Sequence, residues 1–258
     1  MEDHKSLKQQ FREFTSGTPS QAQYWLNKYN WDLYTAVDQF LSKHPDSHNR
    51  PTSGNATTMD NGQDQKIVNI FNKYKDQSSG KIEIEGTIQY LQDLGIDPED
   101  PASLVLSYTL GSPSTGVFER DSFVDTWEAL DCTDLPSMTT FIKTKTANLH
   151  TNLPYLRKVY EFTFGYILEP HQKKVSAEDA AMYWQLLLQE VFPRVELWTE
   201  FINDDWQKPI TRDAWNMLFL FLQDFEKDPK LENYDDAASW PSIIDSFVEW
   251  AKENEKLE

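Results

Sequence analysis

Cysteine is almost absent from this chain: Cys132 stands alone, so no internal disulfide is possible and a reducing compartment is expected. Apolar residues never run on for the roughly 18 positions that a membrane-spanning helix needs, and no signal peptide opens the sequence. An intracellular, soluble protein is therefore expected. Basic residues are scarce too, 24 Lys and Arg against 42 Asp and Glu for a formal charge of −18. That balance argues against nucleic acid and anionic membrane, both of which need cations to meet phosphate. It favours a basic protein surface as partner, or solubility alone. Histidines are few and scattered (His4, His44, His48, His150, His171). His44 and His48 have the i, i+4 spacing of a zinc helix, but Pro45 follows the first and the intervening Glu is missing, so a solvated pair is expected. There is no phosphate-cradling glycine loop, no Gly-x-Ser-x-Gly element, and no base beside Cys132 to make it a nucleophile. The acid pairs Asp204-Asp205 and Asp235-Asp236 lie in polar runs that suit solvated or capping roles. No active site, metal or cofactor is expected.

What the chain has is aromatic residues, with 9 Trp, 11 Tyr and 15 Phe, ample for a core of helices. Residues 6–45 carry three short helical patterns. Ser6-Leu7-Lys8-Gln9 and Thr18-Pro19-Ser20-Gln21 fit the capping-box spacing, and Leu33, Ala36, Val37 and Phe40 recur on one helix face. Residues 46–63 are Ser/Thr/Asn/Gly-rich and nearly devoid of apolar side chains, a linker that lets its flanks move independently. Residues 64–254 return to helical periodicity, beginning with Ile67, Ile70, Phe71 and Tyr74. Two loops there have EF-hand spacing, Lys75–Gly86 around Gly80 and Gly111–Ser122 around Gly116. Lys75 and Gly86 occupy the end positions where calcium needs a carboxylate and a bidentate Glu, so the scaffold is expected without the ion. Short strands at Ile82–Ile84 and Val117–Phe118 would pair the two units. Helices are expected at Ser122–Leu130, Ser137–His150, Leu153–Ile167, Ala177–Glu190 capped by Ser176, and Phe192–Phe201.

The last stretch, Pro209 to Trp250, reads as two helices around an acidic loop. Thr211 is a candidate cap, Trp215 to Phe225 is apolar nearly all round, and Trp240-Pro241 starts a helix striped by Ile243, Ile244, Phe247 and Trp250. Asp245 falls opposite that stripe and Asp213 lies in the first turn of the earlier helix, so both are expected to be exposed.

These motifs carry a resemblance. Ala22 to Phe40, A-x-x-W-L-x-x-x-x-W-D-L-x-x-A-V-x-x-F, resembles a ubiquitin-associated (UBA) domain, with Phe14-Thr15-Ser16-Gly17 where that family has Met-Gly-Phe/Tyr. I-x-x-D-x-W-N, then Y-D-x-x-x-x-W-P-x-x-I-D-x-F-V-E, with YEFTF, AMYWQLLL and LWTEFI before them, resembles the defective-in-cullin-neddylation family over residues 64–250. The resemblance implies an all-α protein: a UBA-like bundle, then a potentiating-neddylation (PONY) domain opening with degenerate paired EF-hand-like units. It implies a non-catalytic scaffold joining the winged-helix C-terminal region of a cullin, with its RING protein, to the N-terminally acetylated neddylation conjugating enzyme. The implied cullin contacts are Asp213, Ser239 (Ala in the family) and Asp245; ordinary helix-end or solvated acids are the alternative. The implied pocket for the acetylated terminus comprises Thr87, Leu91, Leu106, Ser107, Leu110, Phe118, Tyr166, Tyr183 and Leu186, for each of which core packing is the alternative. Phe14, Thr15, Phe40 and Leu41 would contact ubiquitin or the ubiquitin-like modifier. A monomer in cytoplasm and nucleus is expected. Competing readings are a ubiquitin adaptor working through the bundle alone and a calcium-responsive regulator.

Overall fold

The computed structural model describes residues 4–15, 19–29, 31–43 and 62–257. They are helical almost throughout and divide into two compact units. One comprises the described residues up to Leu94, with Thr109–Gly111 and Val117–Thr139; the other comprises Gly95–Tyr108, Ser112–Gly116 and the chain from Thr140. Of the expected linker, residues 46–61 lie outside the described residues, and 62 and 63 already belong to a helix.

In the first unit, α1 (His4–Thr15), α2 (Pro19–Lys28) and α3 (Leu33–Lys43) form a bundle. Its core is Leu7, Phe11, Ala22, Trp25, Leu26, Leu33, Ala36 and Phe40. Phe40 meets Phe11 edge-on at 5.3 Å and Trp25 at 5.8 Å, the offset geometry that aromatic quadrupoles prefer. Pro19 takes the first helical position as expected, while Thr18 lies outside the described residues. Ser6 is not a cap: α1 begins two residues earlier, and the Ser6 hydroxyl accepts from Gln10 Nε2 at 3.2 Å. Asp32 caps α3 instead, accepting from the Thr35 amide at 3.2 Å.

The same unit holds α4 (Gly62–Tyr74), α5 (Ile84–Leu94) and α7 (Arg120–Ala129); α2 and α4 both pack on α7. Between α4 and α5, Asp76 Oδ1 accepts from the amides of Ser78 at 2.8 Å and Ser79 at 2.9 Å, and Gly80 turns the chain at φ 72°. The expected strand pair contracts to one antiparallel bridge, Ile82 N to Phe118 O at 3.0 Å and Phe118 N to Ile82 O at 2.9 Å. Ile84 is not part of it, because α5 begins there. A Cβ on Gly86 would lie 2.0 Å from the Tyr74 carbonyl oxygen, so the crossing of α4 and α5 requires glycine.

α6 (Pro101–Leu110) and α8 (Leu135–Ala147) contribute residues to both units. α8 starts before the expected Ser137, since Asp134 is its cap: Asp134 Oδ1 accepts from the Ser137 amide at 2.8 Å and Ser137 Oγ from the Asp134 amide at 3.3 Å.

The second unit continues with α9 (Leu153–Tyr166), α10 (Ala177–Leu188), α11 (Val195–Phe201), α12 (Arg212–Lys227) and α13 (Ser242–Glu253). Ser176 caps α10, its hydroxyl accepting from the Asp179 amide at 3.0 Å. α11 begins later than the expected Phe192, and a π-helical turn, Ile202–Trp206, prolongs it, ending at Gln207 in the left-handed region at φ 48°. Two two-residue strands unseen in the sequence, β1 (Lys174–Val175) and β2 (Ile210–Thr211), pair antiparallel, Lys174 opposite Thr211. At the centre Tyr160 stacks on Trp215 at 4.9 Å, and Trp184 lies 5.4 Å from Trp215 and 5.7 Å from Trp198. The Tyr160 hydroxyl donates to the Trp215 carbonyl and accepts from Trp184 Nε1 at 3.0 Å.

Candidate functional site

The carboxylates singled out in the sequence stand at the starts of α12 and α13. Thr211 Oγ1 accepts from the Ala214 amide at 3.1 Å, closing the N-terminus of α12 as expected. Asp213 is exposed in the first turn. The positive end of the helix dipole favours a carboxylate there by about 0.3–1 kcal/mol. Arg212, its neighbour, is drawn aside, its guanidinium carbon 4.5 Å from the Phe164 ring centre. Among the described residues Asp213 has no ion-pair partner.

α13 begins one residue after the position expected from Trp240-Pro241: Pro241 is the N-cap, and Ser242 is the first helical residue. Ile243, Ile244 and Phe247 are buried as the stripe requires, and Trp250 is half-buried. Phe247 packs on Phe221 and Phe225 of α12, each at 5.6 Å. Ser239 is exposed before the Trp240-Pro241 corner. Asp245 departs from expectation. It is half-buried, because Tyr234 from the acidic loop folds back and donates its hydroxyl to Asp245 Oδ1. Nothing in the helical period of α13 forecasts that contact; only the Tyr-Asp pair of the loop motif marked the position.

The residues of the implied apolar pocket fall in both units: Thr87, Leu91, Leu110 and Phe118 in the first, and Leu106, Ser107, Tyr166, Tyr183 and Leu186 in the second. Thr87, Leu91, Leu106, Ser107, Leu110, Phe118 and Tyr166 are buried, and Tyr183 and Leu186 are half-buried. Tyr166 receives the Thr115 hydroxyl on its carbonyl at 3.0 Å, and its own hydroxyl accepts from the Gly116 amide at 3.4 Å. Burial pushes the Tyr183 phenol upward from its ordinary pKa, with the Tyr166 phenol and Asp179 adding to the effect. In the bundle, Phe14 is 56% exposed and Leu41 half-buried, while Thr15 and Phe40 are buried. Phe40 is thus a core residue, and Thr15 turns its hydroxyl onto the Phe11 carbonyl at 2.7 Å.

Cys132 is buried, and burial pushes its thiol pKa upward, which suppresses the thiolate that nucleophilic chemistry needs. Asp204 and Asp205 are exposed on the π-helical turn, and Asp235 accepts from the Ala237 amide at 2.9 Å. His4 stacks on Trp31 at 3.6 Å and His150 Nδ1 lies 2.7 Å from Glu190; His44 and His48 lie outside the described residues. Among the described residues no group of three or more His, Cys, Asp or Glu is placed to hold a metal, and no helix is long and apolar enough to cross a membrane.

Two family models match the chain: a UBA-like domain over residues 3–47 and a cullin-binding domain over residues 137–250, the segment that contains Asp213, Ser239 and Asp245. Defective in cullin neddylation protein 1 of Yarrowia lipolytica is 35% identical over 240 residues, covering 93% of each chain. The protein of that name from Candida albicans is 33% identical over 300 residues, spanning both chains in full. DCN1-like protein 3 of Rattus norvegicus is 31% identical over 206 residues, 75% of this chain and 64% of that one. With an apolar helical core, an acid in the first turn of each of two helices in the cullin-binding segment and a relationship running the length of the sequence, this chain belongs to the defective in cullin neddylation protein 1 family.

Proposed function

We propose that this protein is a non-catalytic scaffold for cullin neddylation. It docks the winged-helix C-terminal region of a cullin through Asp213, Ser239 and Asp245, and binds the acetylated N-terminus of the charged conjugating enzyme through apolar side chains. The observation that carries the reading is Asp213, unpaired among the described residues, on a capped helix end inside the segment matched by the cullin-binding model. A fixed acid of this kind suits a Lys or Arg on a basic surface, and the net charge of −18 would speed the encounter. The side chains implied for the conjugating enzyme are uncharged, which suits an acetylated methionine, whose neutral amide avoids the desolvation cost of a free amine. Bringing both partners together raises the effective concentration of the thioester at the acceptor lysine, so no catalytic group is required of the scaffold.

The test is single-turnover transfer of the modifier from its charged conjugating enzyme to a cullin–RING complex. The wild-type protein accelerates transfer, and Asp213→Lys, exposed and remote from the core, loses about tenfold of that acceleration through charge reversal. No acceleration by the wild type overturns the reading. A second reading, a ubiquitin-binding adaptor, draws support from Phe14, whose exposed ring stands at the end of α1 in the UBA-like segment. It expects Phe14→Ala to abolish ubiquitin binding while leaving transfer unchanged.

A further inference from the structure

We propose that Tyr234 is a positioning residue for Asp245: its phenol holds the carboxylate in the orientation that a basic side chain of the partner meets. The inference rests on the cullin-docking reading above and deepens it.

The chain between α12 and α13, from Asp228 to Pro241, is polar and acidic, with little to hold it down. Three anchors do so. Asp228 Oδ2 accepts from the Asn233 amide at 2.8 Å and its side-chain Nδ2 at 3.1 Å. Leu231 adopts a left-handed φ of 50° and is buried, a conformation that a β-carbon tolerates only when the surroundings enforce it. Tyr234 sets its ring edge-on to Phe221 at 6.3 Å and its hydroxyl on Asp245 Oδ1. The first two anchors fix the backbone around Tyr234; the third ties the loop to the first turn of α13.

Oδ1 is occupied by the phenol, and among the described residues Oδ2 has no hydrogen-bond partner. Asp235, the nearest acid in sequence, turns its Oδ1 to the Ala237 amide of its own loop. The phenol keeps its proton throughout the neutral range, since burial and then the Asp245 carboxylate raise its pKa well above the ordinary value. A carboxylate already held in one rotamer loses less freedom when it docks, and charge-assisted bonds are the ones most sensitive to aim.

The experiment measures affinity for the isolated cullin winged-helix region by titration calorimetry, using full-length wild type, Tyr234→Phe, Asp245→Ala, the double variant and Asp213→Lys. Tyr234→Phe keeps the ring on Phe221 and removes one oxygen, so the fold is retained, as thermal melting checks. The expected result is about a three- to tenfold weaker affinity for Tyr234→Phe, with no further loss when the change is made in Asp245→Ala. Affinity unchanged by Tyr234→Phe, with Asp213→Lys still weakened, overturns the positioning role and leaves the docking face standing. A loss of equal size in the Asp245→Ala background also overturns it, because the phenol would then act through the loop rather than the carboxylate. Failure of the wild type to bind overturns the docking reading itself.

Discussion

Replacing Tyr160 by Phe removes one oxygen from the centre of the second unit, and its cost can be worked out from the groups it leaves behind. The hydroxyl has two partners. It donates to the Trp215 carbonyl, and it accepts from Trp184 Nε1 at 3.0 Å. The Trp215 carbonyl lies within α12, where the amide four residues on also reaches it, so that acceptor remains satisfied. The Trp184 indole has no such reserve: its ring is fully buried, and among the described residues its N–H has no hydrogen-bond partner besides the Tyr160 hydroxyl. An orphaned buried donor costs about 1–3 kcal/mol, and little is regained, because Phe fills nearly the same volume. The expected melting temperature is about 2–12 °C lower, at about 2–4 °C per kcal/mol for a domain of this size. Calorimetric melting of the two proteins checks it. A Tyr160→Phe protein that melts with the wild type would show that the buried hydroxyl contributes nothing net, and the ring packing would have to carry the whole stabilisation.

The same phenol sets a pH dependence. Burial raises Tyr160 and Tyr90 well above their ordinary pKa and lifts Tyr24 and Tyr74 to about 12. The unfolded chain then gives up these protons near pH 10 while the folded one keeps them, so urea stability stays level to about pH 9 and falls from about pH 10 towards 12. Each fully buried phenol steepens the fall by up to about 1.4 kcal/mol per pH unit, and Tyr160→Phe shows the shallower slope. Gly86→Ala gains helix propensity but must push its methyl away from the Tyr74 carbonyl; denaturant unfolding is expected to show a net loss of about 1–3 kcal/mol. Thr211→Ala opens the N-terminus of α12 and costs about 0.5–2 kcal/mol by the same measurement. Millimolar calcium leaves the melting temperature unchanged, since Asp76 already serves the amides of Ser78 and Ser79 and Gly86 offers no ligand; a rise would point to a bound ion.

The helices were legible wherever an apolar period and a cap coincided. Ser176 and Thr211 are caps because each short side chain reaches an amide three residues on, and that spacing is written in the sequence. Ser6 has the same spacing but lies within α1, since a motif cannot tell whether an earlier residue extends the helix. Gly86 read only as a missing calcium ligand; that a carbonyl from α4 occupies its side-chain space depends on how two helices cross, which no local pattern encodes. The π-helical turn and the β1–β2 pair escaped for related reasons, one being a register change within a continuous helix and the other a pairing between residues some 35 apart in the chain. At the candidate site, Asp213 was placed correctly by its turn of helix. Asp245 was not, because helical angle predicts which way a side chain leaves its helix and says nothing of a loop that returns to cover it.

The two-residue pairing of β1 with β2 bears on how quickly the acidic face can be used. Lys174 lies opposite Thr211, so the backbone two residues before Asp213 is pinned to a strand from another part of the chain, and the capped helix begins at once. In the docking proposed above, a partner would find that carboxylate with its main chain already in place, and no slow ordering of the segment would stand between collision and complex. Association should therefore follow the diffusive, charge-steered regime, with rate constants that fall as salt is added, and differences among partners should emerge in how long each stays bound.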